Sequence, residues 1–332
     1  MENLFKMKRR FVIIGSNSFS GSTLIDLLQQ DEGNEVVGIS RSKEKDRLFL
    51  AYKGGLQFHQ MNLNTDLDKM LQLFDKYEPH YIVNFASQSE VAPSWEYPEQ
   101  WYQTNCMSIV RLSNELKDRK YLKGYVHIST PEVYGSCPKV TESAPLNPST
   151  PYAASRAAAD MFLLCLARNF DFPLTIIRST NVYGAHQQLW KIIPRTVIYL
   201  KQGRKIELHG GGDQIRSFIH IRDVTRGILK AIELGKAGSI YHLSPQNGCS
   251  IKWIVQRVCE LMGYDFDRAT VSFGKRAGQD ACYIIDSSKA RTELGWHPQI
   301  PLDEGLKEVI QWVGENWEEI STAPLEYIHK AY

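Results

Sequence analysis

The feature that most constrains this chain is a glycine-bounded turn, Gly15-Ser16-Asn17-Ser18-Phe19-Ser20-Gly21, directly after the apolar run at residues 10–14. An apolar run of that length reads as a buried strand, and residues 22–30 repeat apolar positions at helical spacing. The segment EVVGISRS then supplies a second strand, so the start of the chain is a βαβ unit. Such a turn brings backbone close to a pyrophosphate, and the helix N-terminus offers amide donors and the positive end of a dipole. Gly15, Asn17, Ser18, Phe19, Ser20 and Gly21 are therefore candidate dinucleotide ligands, with Ser18 standing where the motif has its middle glycine.

Further apolar runs at 81–85, 124–128 and 174–178 alternate with helical patterns at 67–76, 101–116 and 153–170. That alternation predicts a Rossmann-type doubly wound parallel α/β sheet. After about Asn181 the rhythm breaks into a glycine cluster, short strand-like runs such as SIYHLS and late helical pieces. The expected division is a dinucleotide-binding domain over 8–180, with a chain return around 217–235, and a smaller C-terminal α/β substrate-binding lobe over 181–332. A chain of 332 residues exceeds one ordinary core, consistent with two parts.

The second strand ends Ser40-Arg41-Ser42, without the acidic residue that holds the ribose hydroxyls of NAD. A hydroxyl and a cation there suit a 2′-phosphate, so NADP is the expected cofactor, with NAD the alternative. A net charge of +2 with dispersed basic residues argues against nucleic acid. No apolar run approaches the ~20 residues of a membrane span, which places the protein in the cytoplasm. Six cysteines far apart, with no CxxC spacing, suggest neither a metal site nor disulfides.

Two segments carry the reacting chemistry, HISTPEVYG at 127–135 and PYAASR at 151–156. They resemble the extended short-chain dehydrogenase/reductases, and within them the nucleotide-sugar 4,6-dehydratases, whose pattern S-T-(D/S)-E-(V/L)-Y-G precedes P-Y-x-x-S-K. The resemblance continues through VNFASQSEV, RSTNVYG, GGGDQIRSFIHIRDV and RAGQDACYIIDSSKARTELGW. It implies that Tyr152 takes the proton of a sugar C4 hydroxyl, that Thr130 hydrogen-bonds the same oxygen, and that Glu132 removes the C5 proton before water leaves C6. The family lysine that lowers the tyrosine pKa falls at Arg156, and the aspartic acid that protonates the leaving water falls at Pro131. Asn62, Leu63, Phe85, Ala86 and Ser87, with Tyr152 and Arg156, are further candidates for the cofactor site.

The same resemblance places Asn181, Lys191, Arg216 and Arg276 near a substrate nucleotide, where charge-assisted forks suit a diphosphate. Ser87, Gln88 and Ser89, with Thr130 and Glu132, line the implied sugar pocket, and Glu90 replaces its usual histidine. The expected activity is an NADP-linked nucleoside-diphosphate-hexose 4,6-dehydratase. A nucleotide-sugar epimerase or decarboxylase uses the same C4 oxidation, and a decayed sugar-nucleotide-binding protein would explain Ser18, Pro131 and Arg156. Long apolar faces after Trp101 and Tyr152, including Met161, Phe162, Leu164 and Cys165, predict a homodimer through a four-helix bundle.

Overall fold

A computed structural model describes residues 8–274 and 282–331. Seven strands build the main sheet: β1 (Arg9–Ile14), β2 (Asn34–Ser40), β3 (Gln57–Gln60), β4 (Tyr81–Asn84), β5 (Gly124–Ile128), β6 (Leu174–Ser179) and β7 (Ser239–Leu243). Their order is β7-β6-β5-β4-β1-β2-β3, and every neighbouring pair is parallel. The chain starts at β1, winds outward to β3, then crosses back to β4 and winds the other way. Such a sheet opens a crevice at the carboxyl ends of its strands, where the order reverses.

The unbroken apolar character of β1 follows from burial on both faces. Phe11 and Ile13 join one core cluster with Leu24 and Leu28 of α1 (Phe19–Gln29). Val12 and Ile14 join another with Met70 and Phe74 of α2 (Leu67–Tyr77), Ile109 and Leu112 of α3 (Ser108–Leu116), and Ala159 and Leu163 of α4 (Pro151–Phe170). Alternate residues of a strand point to opposite faces, so one short run anchors both helical layers. Val224 and Ile228 of α5 (Ile221–Leu234) complete the first layer.

Two departures from the sequence reading matter for the site. The helical pattern at 101–116 is interrupted: a turn at Pro98–Tyr102 leads into a π-turn at Gln103–Met107 and only then into α3. The SIYHLS run, read from its position as part of the C-terminal region, is β7 on the edge of the main sheet. Its partner β6 is distant in sequence, so local alternation carries no sign of it.

The smaller lobe holds a mixed four-stranded sheet of Cys249–Ser250, Ile215–Arg216, Cys282–Ile285 and Cys137–Val140, in that order. Two parallel pairs accompany it, Asn181–Tyr183 with Phe218–His220 and Ile206–His209 with Thr270–Phe273. A separate core of Ile193, Val197, Ile254, Val258, Leu306 and Val309 sits beneath. Among the described residues no helix is long and apolar enough to cross a membrane.

Candidate active site

A cleft of about 560 Å³ runs along the carboxyl ends of β1, β2, β4 and β5 and on toward the lobe. At one end lies the glycine turn. Gly15 has φ +85°, and a Cβ there would stand 2.8 Å from the backbone N of Ala86. A Cβ on Gly21 would stand 2.5 Å from the Gly15 carbonyl, so both glycines answer to close backbone approach. Ser18 is the N-cap of α1, its Oγ accepting from the Gly21 N–H at 2.9 Å. The missing middle glycine is thus replaced by a capping hydroxyl that keeps the turn. Gly15, Asn17, Ser18, Phe19 and Ser20 line the cleft, while Gly21 lies behind it as packing.

The hydroxyls at the end of β2 are already engaged. Ser40 Oγ accepts from the Asn17 N–H at 2.9 Å, and Asn17 Nδ2 donates to Ser42 Oγ at 3.2 Å and to the Lys43 carbonyl at 2.7 Å. Ser40 and Ser42 therefore brace the turn; of the three residues expected to take a 2′-phosphate Ser40 is buried while Arg41 and Ser42 are exposed, and Arg41 carries the one cation. Asn62, Leu63, Phe85, Ala86 and Ser87 form the adjoining wall.

At the other end, Thr130 follows β5 and caps a single 3₁₀ turn, Pro131–Tyr134, with its Oγ1 accepting from the Glu132 N–H at 3.3 Å. Proline suits the first position of such a turn, where no N–H is needed. Thr150 caps α4 through the Ala153 N–H at 3.1 Å with Pro151 in its first turn, so the helix begins early enough to include Tyr152. Thr130 hydrogen-bonds the buried Tyr152 side chain. Burial, then Glu132, pushes the phenol up to about 12, while Arg156 and Thr130 pull it down. Arg156 acts in the direction expected from the sequence, and burial outweighs it.

Tyr152, Arg156 and Asp160 recur every four residues and share one face of α4. Arg156 is 2% exposed; its Nη2 donates to the Ile128 carbonyl and lies 3.3 Å from His127 Nε2. Its Nε and Nη1 are buried with no partner among the described residues. Burial first, then Arg156 and Arg178, hold His127 well below its ordinary value, so it is neutral. Asp160, wholly buried, accepts from Ser129 Oγ at 2.6 Å and from Arg178 Nη2 at 2.8 Å. Arg178 in turn donates to the Tyr134 hydroxyl, which sits 2.8 Å from His242 Nε2.

The expected sugar-side residues meet here in part. Ser87, Gln88, Ser89, Asn181 and Lys191 line the cleft with Thr130, Glu132, Tyr152 and Arg156. Gln88 is fixed by a residue absent from the sequence reading: Asn105 Oδ1 accepts from the Gln88 N–H at 2.8 Å, and its Nδ2 donates to the Gln88 carbonyl and to Ser155 Oγ, each at 3.0 Å. Asn105 lies in the π-turn, a common device at functional sites. Glu90 Oε1 accepts from Lys191 Nζ at 2.6 Å and from Trp190 Nε1 at 3.1 Å, so the lysine expected near a diphosphate is ion-paired. Arg216 stands behind the lining, its guanidinium 4.1 Å from the Tyr283 ring centroid. Tyr283, also unread from the sequence, lines the cleft and donates to Asn181 Oδ1 at 2.7 Å. Arg276 lies outside the described residues.

Comparison with known proteins identifies the family and the fold. Residues 12–309 match the family model described as GDP-mannose 4,6 dehydratase. The dTDP-glucose 4,6-dehydratase of Haemophilus influenzae is 28% identical, covering 91% of this chain and 96% of the relative. The DesIV dTDP-glucose 4,6-dehydratase of Streptomyces venezuelae, solved as a double mutant with NAD and DAU bound, superposes with a TM-score of 0.86 at 28% identity, covering 93% of this chain and 98% of that one. A Thermotoga maritima UDP-glucose 4-epimerase with UDP-glucose gives the same TM-score at 25% identity, covering 93% and 99%. The chain therefore belongs to the GDP-mannose 4,6 dehydratase family, the nucleotide-sugar 4,6-dehydratase branch of the extended short-chain dehydrogenase/reductases.

Proposed function

We propose that the protein is a nucleoside-diphosphate-hexose 4,6-dehydratase that recycles a tightly held NAD(P). The observation that carries this is the convergence of Thr130, Glu132 and Tyr152 at one end of a cleft whose other end is the glycine turn. The residues present fit a dinucleotide: Gly15, Asn17, Ser18, Phe19 and Ser20 line the cleft at the start of α1, and Asn17 Oδ1 and two Arg156 nitrogens are buried without partners among the described residues. A bound NAD(P) would accept hydride from C4 and later return it to C6. Tyr152 takes the C4 hydroxyl proton while Thr130 holds that oxygen. Arg156 favours the phenolate. Glu132 then removes the C5 proton, made acidic by the C4 ketone, and Pro131 has no proton to give. The same carboxyl delivers that proton to the C6 hydroxyl, which leaves as water; when hydride returns to C6 a proton drawn from solvent completes C5, and Tyr152 releases the C4 proton to solvent.

The epimerase reading shares the first step and draws its support from Pro131. Glu132 has no task in it, which ranks it second. For the substrate we propose a nucleoside-diphosphate hexose, its diphosphate end reaching Lys191 and Asn181 with Arg216 acting through Tyr283.

Replacing Tyr152 with Phe should lower turnover roughly 10² to 10⁴-fold, the usual worth of a positioned general base. Glu132→Gln should leave hydride transfer intact and stop water loss, so the absorbance of reduced cofactor rises in a single turnover. Because Glu132 raises the Tyr152 pKa and the phenolate is the base, the rising acid limb of that first half-reaction should also move to lower pH. Water loss at near wild-type rate in Glu132→Gln would rule the mechanism out.

For the cofactor we propose NADP, resting on Arg41 alone. Titration should show NADP binding more tightly than NAD by about 1 kcal/mol or more, a hydrogen bond to a charged group being worth about 1.5 to 3 kcal/mol, with the margin abolished in Arg41→Ala. Equal affinities in the parent chain would contradict the assignment.

We further propose a homodimer through α4 and the segment leading into α3. Met161 is 60% exposed and Met107 49% exposed on these helices, while Phe162 and Leu164 partly pack into the monomer core. Sedimentation should give a dimer for the parent chain and a monomer for a Met107→Glu/Met161→Glu variant; a parent monomer at micromolar concentration would refute it.

A further inference from the structure

The last described residues form an extended segment whose alternate side chains turn inward: Ala323, Leu325, Tyr327 and His329 are partly buried, while Pro324, Glu326, Ile328 and Lys330 are exposed. That two-residue period is what an extended chain shows when one side is seated on a surface. The seat spans both parts of the molecule. Leu325 packs against the core of the C-terminal lobe. Tyr327 meets the Trp190 ring at 5.7 Å, edge to face, and Trp190 is bonded to Glu90 beside Lys191. His329 stacks on Tyr97 at 4.8 Å and on Trp101 at 5.3 Å, with its Nε2 2.8 Å from Gln100 Oε1. The Lys330 carbonyl then accepts from Gln88 Nε2 at 3.2 Å and from Arg41 Nη1 at 3.4 Å, and the Ala331 carbonyl from the same Nη1 at 3.0 Å.

Three of the residues touched or flanked, Arg41, Gln88 and Lys191, line the cleft. The segment thus crosses the cleft mouth from the sugar side to the end of β2. Lys45, another lining residue, has its pKa lowered first by desolvation and then by the charge of Lys330.

We propose that residues 325–331 are a working part of the cofactor site, a strap that crosses the mouth of the cleft and retains the bound dinucleotide between turnovers. The proposal rests on the reading of this cleft as a dinucleotide site, and it deepens it. A reaction that returns its hydride within each turnover never needs cofactor exchange, so a barrier to exit costs the cycle nothing. The aromatic seat of His329 supplies fixed, desolvated contact, and Arg41 and Gln88 join the strap to the walls that hold the ligand.

The test follows dissociation of NADPH, or of NADH where that binds better, by nicotinamide fluorescence after a chase with excess oxidised cofactor. It compares the full chain, a chain ending at Pro324, and the point variants Tyr327→Ala and His329→Ala. Dissociation should quicken about tenfold or more in the shortened chain and severalfold in His329→Ala, since contact losses act chiefly on off-rates. Thermal unfolding without cofactor should stay close to that of the full chain in the point variants, which keeps the test decisive if the shortened chain folds poorly. Unchanged dissociation in variants that still bind would overturn the strap. Faster association with unchanged dissociation would overturn it too, making the segment an obstacle to entry. Absence of binding by the full chain would overturn the dinucleotide reading itself, and the strap with it.

Discussion

One buried carboxylate holds the reacting end of this molecule together. Asp160, on the inner face of α4, receives Ser129 Oγ from the end of β5 and the Arg178 guanidinium from β6. Burying such a charge costs several kcal/mol unless it is paired; both contacts here fall on Oδ2, while Oδ1 has no hydrogen-bond partner among the described residues, so Asp160 depends on the Arg178 pair. Ser129 precedes Thr130, and Tyr152 lies two turns before Asp160 on the same helix. Locking Asp160 against β5 and β6 therefore sets the distance between the hydroxyl, the phenol and the carboxylate that carry the proposed chemistry. Arg156, one turn away, is pinned against the Ile128 carbonyl by the same packing.

The three departures from the family pattern each acquire a physical account. Ser18 keeps the glycine turn by capping α1. Pro131 occupies the first position of a 3₁₀ turn that Thr130 caps, so it preserves the backbone that aims Glu132 while removing an acid. Arg156, in the cleft lining, spends its Nη2 on the Ile128 carbonyl and leaves two nitrogens unspent. None of these requires a decayed site. Each leaves the local geometry in place and changes which proton or charge is available.

Much of this was legible in the sequence because its signals are local. The apolar run of β1 and the glycine turn are read within a few residues, and they place the cleft. Tyr152, Thr130 and Glu132 are candidates because two short motifs resemble those of the nucleotide-sugar 4,6-dehydratases, and the structure brings them to one cleft. What stayed hidden depends on distant pairings. Asn105 clamps Gln88 only because the helix before α3 contains a π-turn, which leaves no mark in hydrophobic periodicity. Tyr283 reaches Asn181 from a strand of the lobe, and β7 pairs with a strand far back in the chain. Ser40 looked like a phosphate ligand, since nothing in the sequence shows its hydroxyl bonded to Asn17. Even the strap has a sequence trace, the alternation in APLEYIHK, although its seat is set by the fold.

The account stands on an oxidation and a reduction within one bound sugar, and isotope position tests that most directly. A nucleoside-diphosphate hexose carrying deuterium at C4 should give a product lighter by one water, with the deuterium retained and found at C6. A product of unchanged mass with its deuterium still at C4 would contradict the account, because hydride would then have returned to the carbon it left without any elimination.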